Sequence, residues 1–256
     1  MARLRGVDGV VPAVLADGKR GREFEMRLNY IDNIDCLEGL RSLPDESVDL
    51  VLTDPPYGIG IKSQGGAKGA TTAKLNPWAD ICNASLWYSA WLTECKRILR
   101  PDGALWSFIN WRYYPTLCKA GYEAQWAQES LLVWDKCWIG PGGKRGLRPS
   151  YEMVALYAMP DFAIPDRSLP DIRREKWGSY KPTGHPAEKP LDLIRWLIRI
   201  SNKRPGSVIL DPFMGSGTTG VAAVREGCNY IGYEMDPVWV QKAKDRIAAE
   251  TGQEGE

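Results

Sequence analysis

Apolar residues in this chain gather into short uninterrupted runs, separated by stretches of helical period. The runs are Met26–Ile31, Val48–Thr53, Ala104–Ile109, Leu131–Trp134, Met153–Tyr157, Val208–Leu210 and Tyr230–Tyr233. Several show no polar alternation, as strands buried on both faces of a parallel sheet do. Between them, Ala84–Leu99 places Leu86, Trp87, Ala90, Trp91 and Ile98 near one helical face, and Arg100-Pro101-Asp102-Gly103 ends it. Leu191–Ile200, after Pro190, predicts a second helix. Thr218–Arg225, ended by Gly227, predicts a third, and Pro237–Ala249, with Asp236 as its cap, a fourth. Strands alternating with helices predict an α/β fold, doubly wound on a mostly parallel seven-stranded sheet.

Two regions break the alternation. Lys62–Lys74 is rich in glycine and lysine with no acid, which predicts a mobile loop. Residues 137–190 are rich in proline and predict an irregular, substrate-facing insert. The remaining division is a polar lead-in over 1–24, a main domain over 25–250 and a tail over 251–256.

Composition narrows the class only a little. At 256 residues and 44% apolar, the chain can bury a substantial core, which argues against global disorder. A net charge of +1 neither suggests nor excludes nucleic acid, because a local basic face suffices. The six cysteines include no C-x-x-C pair, and His185 is the only histidine, so no metal site is expected. Scattered thiols and the lack of a membrane-length apolar segment point to a cytoplasmic protein.

Candidate chemistry begins with Asp54-Pro55-Pro56-Tyr57, directly after the run Val48–Thr53. In open α/β sheets, ligands bind at the carboxyl ends of strands. An exocyclic amino nitrogen is a poor nucleophile, because its lone pair is delocalised into the ring. Two acceptors for its N–H bonds can turn the lone pair towards an electrophile. Asp54 offers a carboxylate and Pro55 a carbonyl, while Pro56 has no competing N–H. The prolines hold these acceptors rigid. Tyr57 offers an aromatic face for an unstacked base.

A second motif, Asp211-Pro212-Phe213-Met214-Gly215-Ser216-Gly217-Thr218-Thr219, follows Val208–Leu210. It contains the dinucleotide pattern Gly215-x-Gly217-x-x-Gly220, with Glu234 at the end of the next run, suited to ribose hydroxyls. A pyrophosphate would oppose an ionised Asp211. S-adenosylmethionine has no phosphate, and its ammonium and sulfonium welcome a carboxylate. Its own carboxylate suits Ser216, Thr218 and a helix N-terminus.

Together the motifs resemble the β class of DNA amino-methyltransferases, in which the tetrad precedes the glycine motif. The likeness runs from about Leu28 to Ala249. It takes in Ile34–Leu37, Leu43–Leu50, Trp134-Asp135-Lys136, Tyr151-Glu152-Met153 and His185-Pro186-Ala187-Glu188-Lys189-Pro190. The resemblance implies a permuted class I methyltransferase fold, S-adenosylmethionine as methyl donor and double-stranded DNA as substrate, with base flipping. It places Asp35 near the cofactor adenine, Lys189 at the methionine end, Glu234 on the ribose and Phe213 against the cofactor. Asp35 also reads as a helix cap before Leu37. The His-Pro pair is not the base in this family, so His185 takes a structural or cofactor-adjacent role.

The family places its recognition region between Trp134 and Pro190, where ten Lys/Arg meet seven Asp/Glu. Arg145 and Arg148 are the expected DNA contacts there, with Lys62 and Lys68 on the loop after the tetrad acting as a lid. In this family aspartate at the tetrad's first position accompanies adenine N6 methylation, which is the expected activity. Cytosine N4 methylation stays open, as does, more remotely, a nicotinamide dehydrogenase resting on the glycine pattern. A homodimer and a cognate restriction enzyme stay open as partners.

Overall fold

The computed structural model describes residues 26–56, 81–140, 144–177 and 183–252. The lead-in, Tyr57, Lys62 and Lys68 lie outside them. In chain order the elements are β1 (Tyr30–Asp32), α1 (Cys36–Ser42), β2 (Val48–Thr53), α2 (Ile81–Ile98), β3 (Leu99–Ile109), α3 (Tyr114–Glu123) and β4 (Gln128–Asp135). Then come β5 (Tyr151–Ala158), β6 (Ile172–Arg174), α4 (Leu191–Ile200), β7 (Val208–Asp211), α5 (Thr218–Arg225), β8 (Asn229–Tyr233) and α6 (Pro237–Thr251).

The strands form one sheet in the order β1-β8-β7-β2-β3-β5-β4-β6, eight strands where seven are predicted. The eighth, β6, is an edge strand of sequence Ile-Arg-Arg beside β4. With one neighbour and mostly exposed side chains it has no apolar run to announce it. Only β5 runs against the others, antiparallel to both β3 and β4. The interval 137–190 contributes β5 and β6 to the sheet, and its excursions are the segments on either side of β5.

Leu50, Val51 and Leu52 are fully buried and point alternately to the two faces of the sheet. Val51 joins a core with Leu40, Trp91, Leu92, Ile98 and Leu117 of α1–α3. Leu50 and Leu52 join the other core, with Leu193, Leu197, Ala222 and Ala223 of α4 and α5. Burial on both faces accounts for the unalternating run. The buried stripe of α2 differs from the predicted one: it is Tyr88, Trp91, Leu92, Cys95 and Ile98, and Leu86 is 70% exposed. Tyr88 carries a polar atom, so its place in the stripe is hidden from an apolar pattern.

Two helices, α1 and α3, escape the pattern because each carries glycine where it touches the sheet. A Cβ on Gly39 would lie 2.6 Å from the Tyr233 ring, and one on Gly121 2.9 Å from Tyr157. Close approach favours glycine at a cost in helix propensity. No helix of the described residues is long and apolar enough to cross a membrane.

The connections decide where a ligand can sit. From β7 the chain passes through α5 to β8 on one side, and from β2 through α2 to β3 on the other. The adjacent strands β7 and β2 thus straddle the switch point, and a crevice opens at their carboxyl ends.

Candidate active site

Asp54, Pro55 and Pro56 continue directly from β2 into this crevice. The Nζ of Lys189, just before α4, lies 2.6 Å from Asp54 Oδ2 and 3.2 Å from Glu152 Oε1. Glu152 opens β5, whose amino end meets the same edge because the strand runs backwards. Its other oxygen, Oε2, lies 3.0 Å from the Nζ of Lys136, just after β4. Four alternating charges therefore run Asp54–Lys189–Glu152–Lys136. The rings of Phe108 under Lys189 and of Trp134 and Trp177 beside Lys136 flank the row. Burial alone would lower the Lys189 ammonium's pKa, but the carboxylates of Asp54 and Glu152 outweigh it and raise the pKa above the usual lysine value.

The tetrad backbone is held from α2. The buried Tyr88 hydroxyl donates to the Pro56 carbonyl at 2.8 Å. Burial and the nearby Asp54 charge push that phenol's pKa up, so it stays a donor.

Across the crevice, the β7 turn is fixed from four sides. Gly215 (φ +48°) and Gly217 (φ +79°) adopt left-handed backbone. The Gly215 N–H donates to Glu234 Oε2 at 2.9 Å, and the Asp236 N–H to Glu234 Oε1 at 2.9 Å. Arg246 of α6 reaches in to donate to the Ser216 carbonyl at 3.0 Å and to Thr218 Oγ1 at 3.1 Å, and pairs with the buried Glu188 at 2.9 Å. His185 lies against Gly215, 3.3 Å from where a Cβ would be, and its ring meets Trp239 edge-on at 4.4 Å. Phe213 packs on Trp87 (5.7 Å) and Trp91 (6.2 Å) of α2.

The Asp211 carboxylate faces inward. It accepts from Thr53 Oγ1 at 2.6 Å, Thr219 Oγ1 at 2.7 Å and the Phe213 N–H at 3.0 Å. It thereby ties the end of β2 to β7 and to the start of α5. Burial dominates these bonds and pushes its carboxyl up to about 6 from the usual 3.8. The folded chain therefore holds this proton more tightly than the unfolded chain. Asp211's contribution to stability grows as pH falls from 6 towards 4 and is lost as pH rises through 6. The Asp211→Asn variant is expected to lose this dependence. Its stability relative to the parent should drop by about 2 kcal/mol between pH 7 and pH 4 in denaturant titrations, and a constant difference would refute the assignment.

Most of the predicted site residues come together here. Asp54, Pro55 and Lys189 stand on one side, and Asp211, Phe213, Gly215, Ser216, Gly217, Thr218 and Glu234 on the other. Of the two roles open to Asp35, the structure displays the cap: its Oδ1 accepts from the N–H groups of Leu37 and Glu38, starting α1. Lys189 stands on Asp54 and Glu152. Arg145 and Arg148 stand on the exposed segment between β4 and β5, which leaves the same edge of the sheet. Arg148 donates to the carbonyls of Gly140 (2.8 Å) and Ile139 (3.2 Å), closing that segment on itself. Sequence reasoning missed Tyr88, Arg246 and the bonds of Glu152 and Lys136. The last two stand in segments that carry the family likeness, but nothing in their spacing marks them as partners. A cavity of about 720 Å³ lies at the far edge of the sheet, between Trp126, Trp196 and Phe162, and none of the described tetrad or glycine-turn residues lines it.

The β7 turn can hold a small molecule with a carboxylate, a ribose and an aromatic base. Gly217 caps α5 without a side-chain acceptor, which leaves the helix's first N–H groups to a ligand. Glu234 presents a half-buried carboxylate at the end of β8. Phe213, at the start of the turn, and Trp87 packed on it supply aromatic surface.

Comparison with known proteins agrees with this arrangement. Residues 48–245 match the N6/N4 methyltransferase family, described as DNA methylase. YubD of Escherichia coli (strain K12), which carries the name of a methylase, is 32% identical over 218 residues, covering 84% of this chain and 88% of YubD. Among solved structures, the cytosine-N4-specific PvuII DNA methyltransferase superposes with a TM-score of 0.65 at 19% identity, covering 87% of this chain and 91% of that one. TTHA0409 of Thermus thermophilus, solved with S-adenosyl-L-methionine, superposes at 0.63 and 23% identity, covering 87% and 94%. These likenesses give the fold as that of the class I methyltransferases.

Proposed function

The chain belongs to the N6/N4 DNA methylase family, and from that premise we propose that it methylates the N6 amino group of adenine within a specific sequence of duplex DNA, using S-adenosylmethionine. The observation that carries this reading is the Asp54 carboxylate at the carboxyl end of β2, one strand from the glycine turn of β7. A cytoplasmic location goes with a DNA substrate.

Bound at the β7 turn, S-adenosylmethionine would supply an electrophilic methyl group. Glu234 is assigned to the ribose hydroxyls, Phe213 to an aromatic contact, and the turn from Gly215 to Thr218 to the carboxylate at the start of α5. Asp211 shapes that turn through the Thr53 and Thr219 hydroxyls.

Asp54 and the Pro55 carbonyl accept the two N–H bonds of the target amino group and turn its lone pair outward. Tyr88 holds the Pro56 carbonyl, so the acceptors do not reorganise during the reaction. Tyr57 is assigned to stacking on the flipped base, and Lys62 and Lys68 to the DNA backbone; all three lie outside the described residues.

Sequencing with modified-base detection, on DNA from a host expressing the protein, tests the reading. N6-methyladenine at one recurring sequence is expected. N4-methylcytosine would overturn the choice of base, and no modification by folded, cofactor-loaded protein would overturn the activity. Arg145, exposed on the segment between β4 and β5, is assigned to a phosphate. The Arg145→Ala variant should lose about one unit from the slope of log affinity against log salt, with cofactor affinity unchanged; an unaltered slope would sink the assignment.

A further inference from the structure

We propose that Lys189, held in place by Glu152, is the positioning residue of Asp54: it fixes one carboxylate oxygen, and so sets how the other meets the target amino group. The inference rests on the methyl-transfer reading of the same site.

Geometry carries it. Lys189 Nζ sits 2.6 Å from Asp54 Oδ2, the shortest ion pair in the row. A carboxylate free to rotate about its χ2 would present its acceptors over a wide arc. One charge-assisted bond removes most of that freedom before the substrate arrives. Lys189 is itself restrained, by Glu152 at 3.2 Å and by the Phe108 ring at 4.9 Å. Glu152 is restrained in turn by Lys136 at 3.0 Å. Lys136 begins the segment between β4 and β5, whose backbone closes through the Lys136 N–H to Ser150 O bond at 2.9 Å. The row therefore joins the candidate DNA-contacting segment to the acceptor of the target amino group.

The groups facing Asp54 set the sign of its pH response. Among the described residues, Lys189 contributes a positive charge in contact with Asp54. Glu152 from β5 and Asp211 from β7 contribute negative ones, Lys136 stands behind Glu152, and the Tyr88 hydroxyl from α2 is neutral. Removing the Lys189 ammonium leaves two carboxylates on either side of an uncharged gap. Asp54 then binds a proton at higher pH, and a protonated Asp54 is a poorer acceptor.

The test is Lys189→Met, measured by single-turnover methyl transfer across pH and by cofactor binding. The transfer rate is expected to fall by about 10- to 100-fold, with the acid limb of the pH profile moved up by about one unit or more. Cofactor Kd should stay within about twofold, and Lys189→Arg should recover part of the rate. Glu152→Gln, which keeps the shape of its side chain, should slow transfer by several-fold at unchanged cofactor Kd, and carries the test if Lys189→Met does not fold. A cofactor Kd raised tenfold or more with an unmoved acid limb would overturn the inference and assign Lys189 to the cofactor. An unchanged rate would overturn it too. Parent protein that methylates no DNA would sink the underlying reading first, a failure distinct from either of these.

Discussion

Replacement of Asp54 by alanine is expected to abolish methyl transfer while sparing cofactor binding. Asp54 stands at the end of β2, and the cofactor-suited groups Phe213, Gly215 and Glu234 follow β7 and β8. The removed carboxylate therefore belongs to one half of the crevice and the groups proposed for the cofactor to the other. Loss of one preorganised hydrogen-bonding group, as measured for donors to a developing oxyanion, costs about 10²–10³-fold. Here a further loss follows, because Lys189 is left turned towards Glu152 with its positive charge facing the target amino group. A total of about 10³-fold or more, some 4 kcal/mol of transition-state stabilisation, is the expected result. Asp54→Asn should fall between parent and alanine, since its amide oxygen still accepts one bond but no longer pairs with Lys189 as a charge. Single-turnover rates, with cofactor affinity by calorimetry, check this. Alanine turnover within tenfold of the parent would remove Asp54 from the reaction.

What could be read from the sequence follows from how local each feature is. The ends of β2 and β7 were legible because both strands are buried on two faces, and the residues that end them, Asp54 and the Asp211–Gly217 turn, are contiguous in the chain. The helices α4 and α5 match their predicted bounds for a similar reason: Pro190 before α4, Gly227 after α5 and the apolar spacing of each lie within one window. The row Asp54–Lys189–Glu152–Lys136 draws on four segments up to 135 positions apart, so no window contains it. Arg246 is likewise 30 positions from the Ser216 carbonyl it holds. The resemblance placed Lys189 on the cofactor from its motif alone; the fold places its ammonium on two carboxylates contributed by β2 and β5. Edge strand β6 was invisible for want of apolar residues, and α1 and α3 because close packing on the sheet put glycines where helix formers would have signalled them.

Gly217 carries the second large effect, on stability and cofactor affinity together. Its backbone is left-handed, at φ +79° and ψ 14°, where an L side chain costs about 1–2 kcal/mol. The added Cβ would also lie 2.9 Å from the Cβ and 3.0 Å from the Cα of Ala243, and 3.3 Å from its carbonyl oxygen. Ala243 is fully buried on α6, so the obstacle is helix backbone and cannot rotate away. Gly217→Ala must therefore push α6 outward. Arg246, one turn further along α6, would move with it and pull on Ser216 and Thr218. A loss of about 2–4 kcal/mol is expected, seen as a Tm lower by roughly 5–10 °C, with cofactor affinity weakened at least tenfold. Gly206→Ala separates the two causes. Gly206 is also left-handed, at φ +91°, but a Cβ there meets nothing within 4 Å. It should lose only the backbone cost and leave cofactor affinity intact. Equal losses in the two variants would mean that α6 yields freely, and that the turn is not fixed by its packing against that helix.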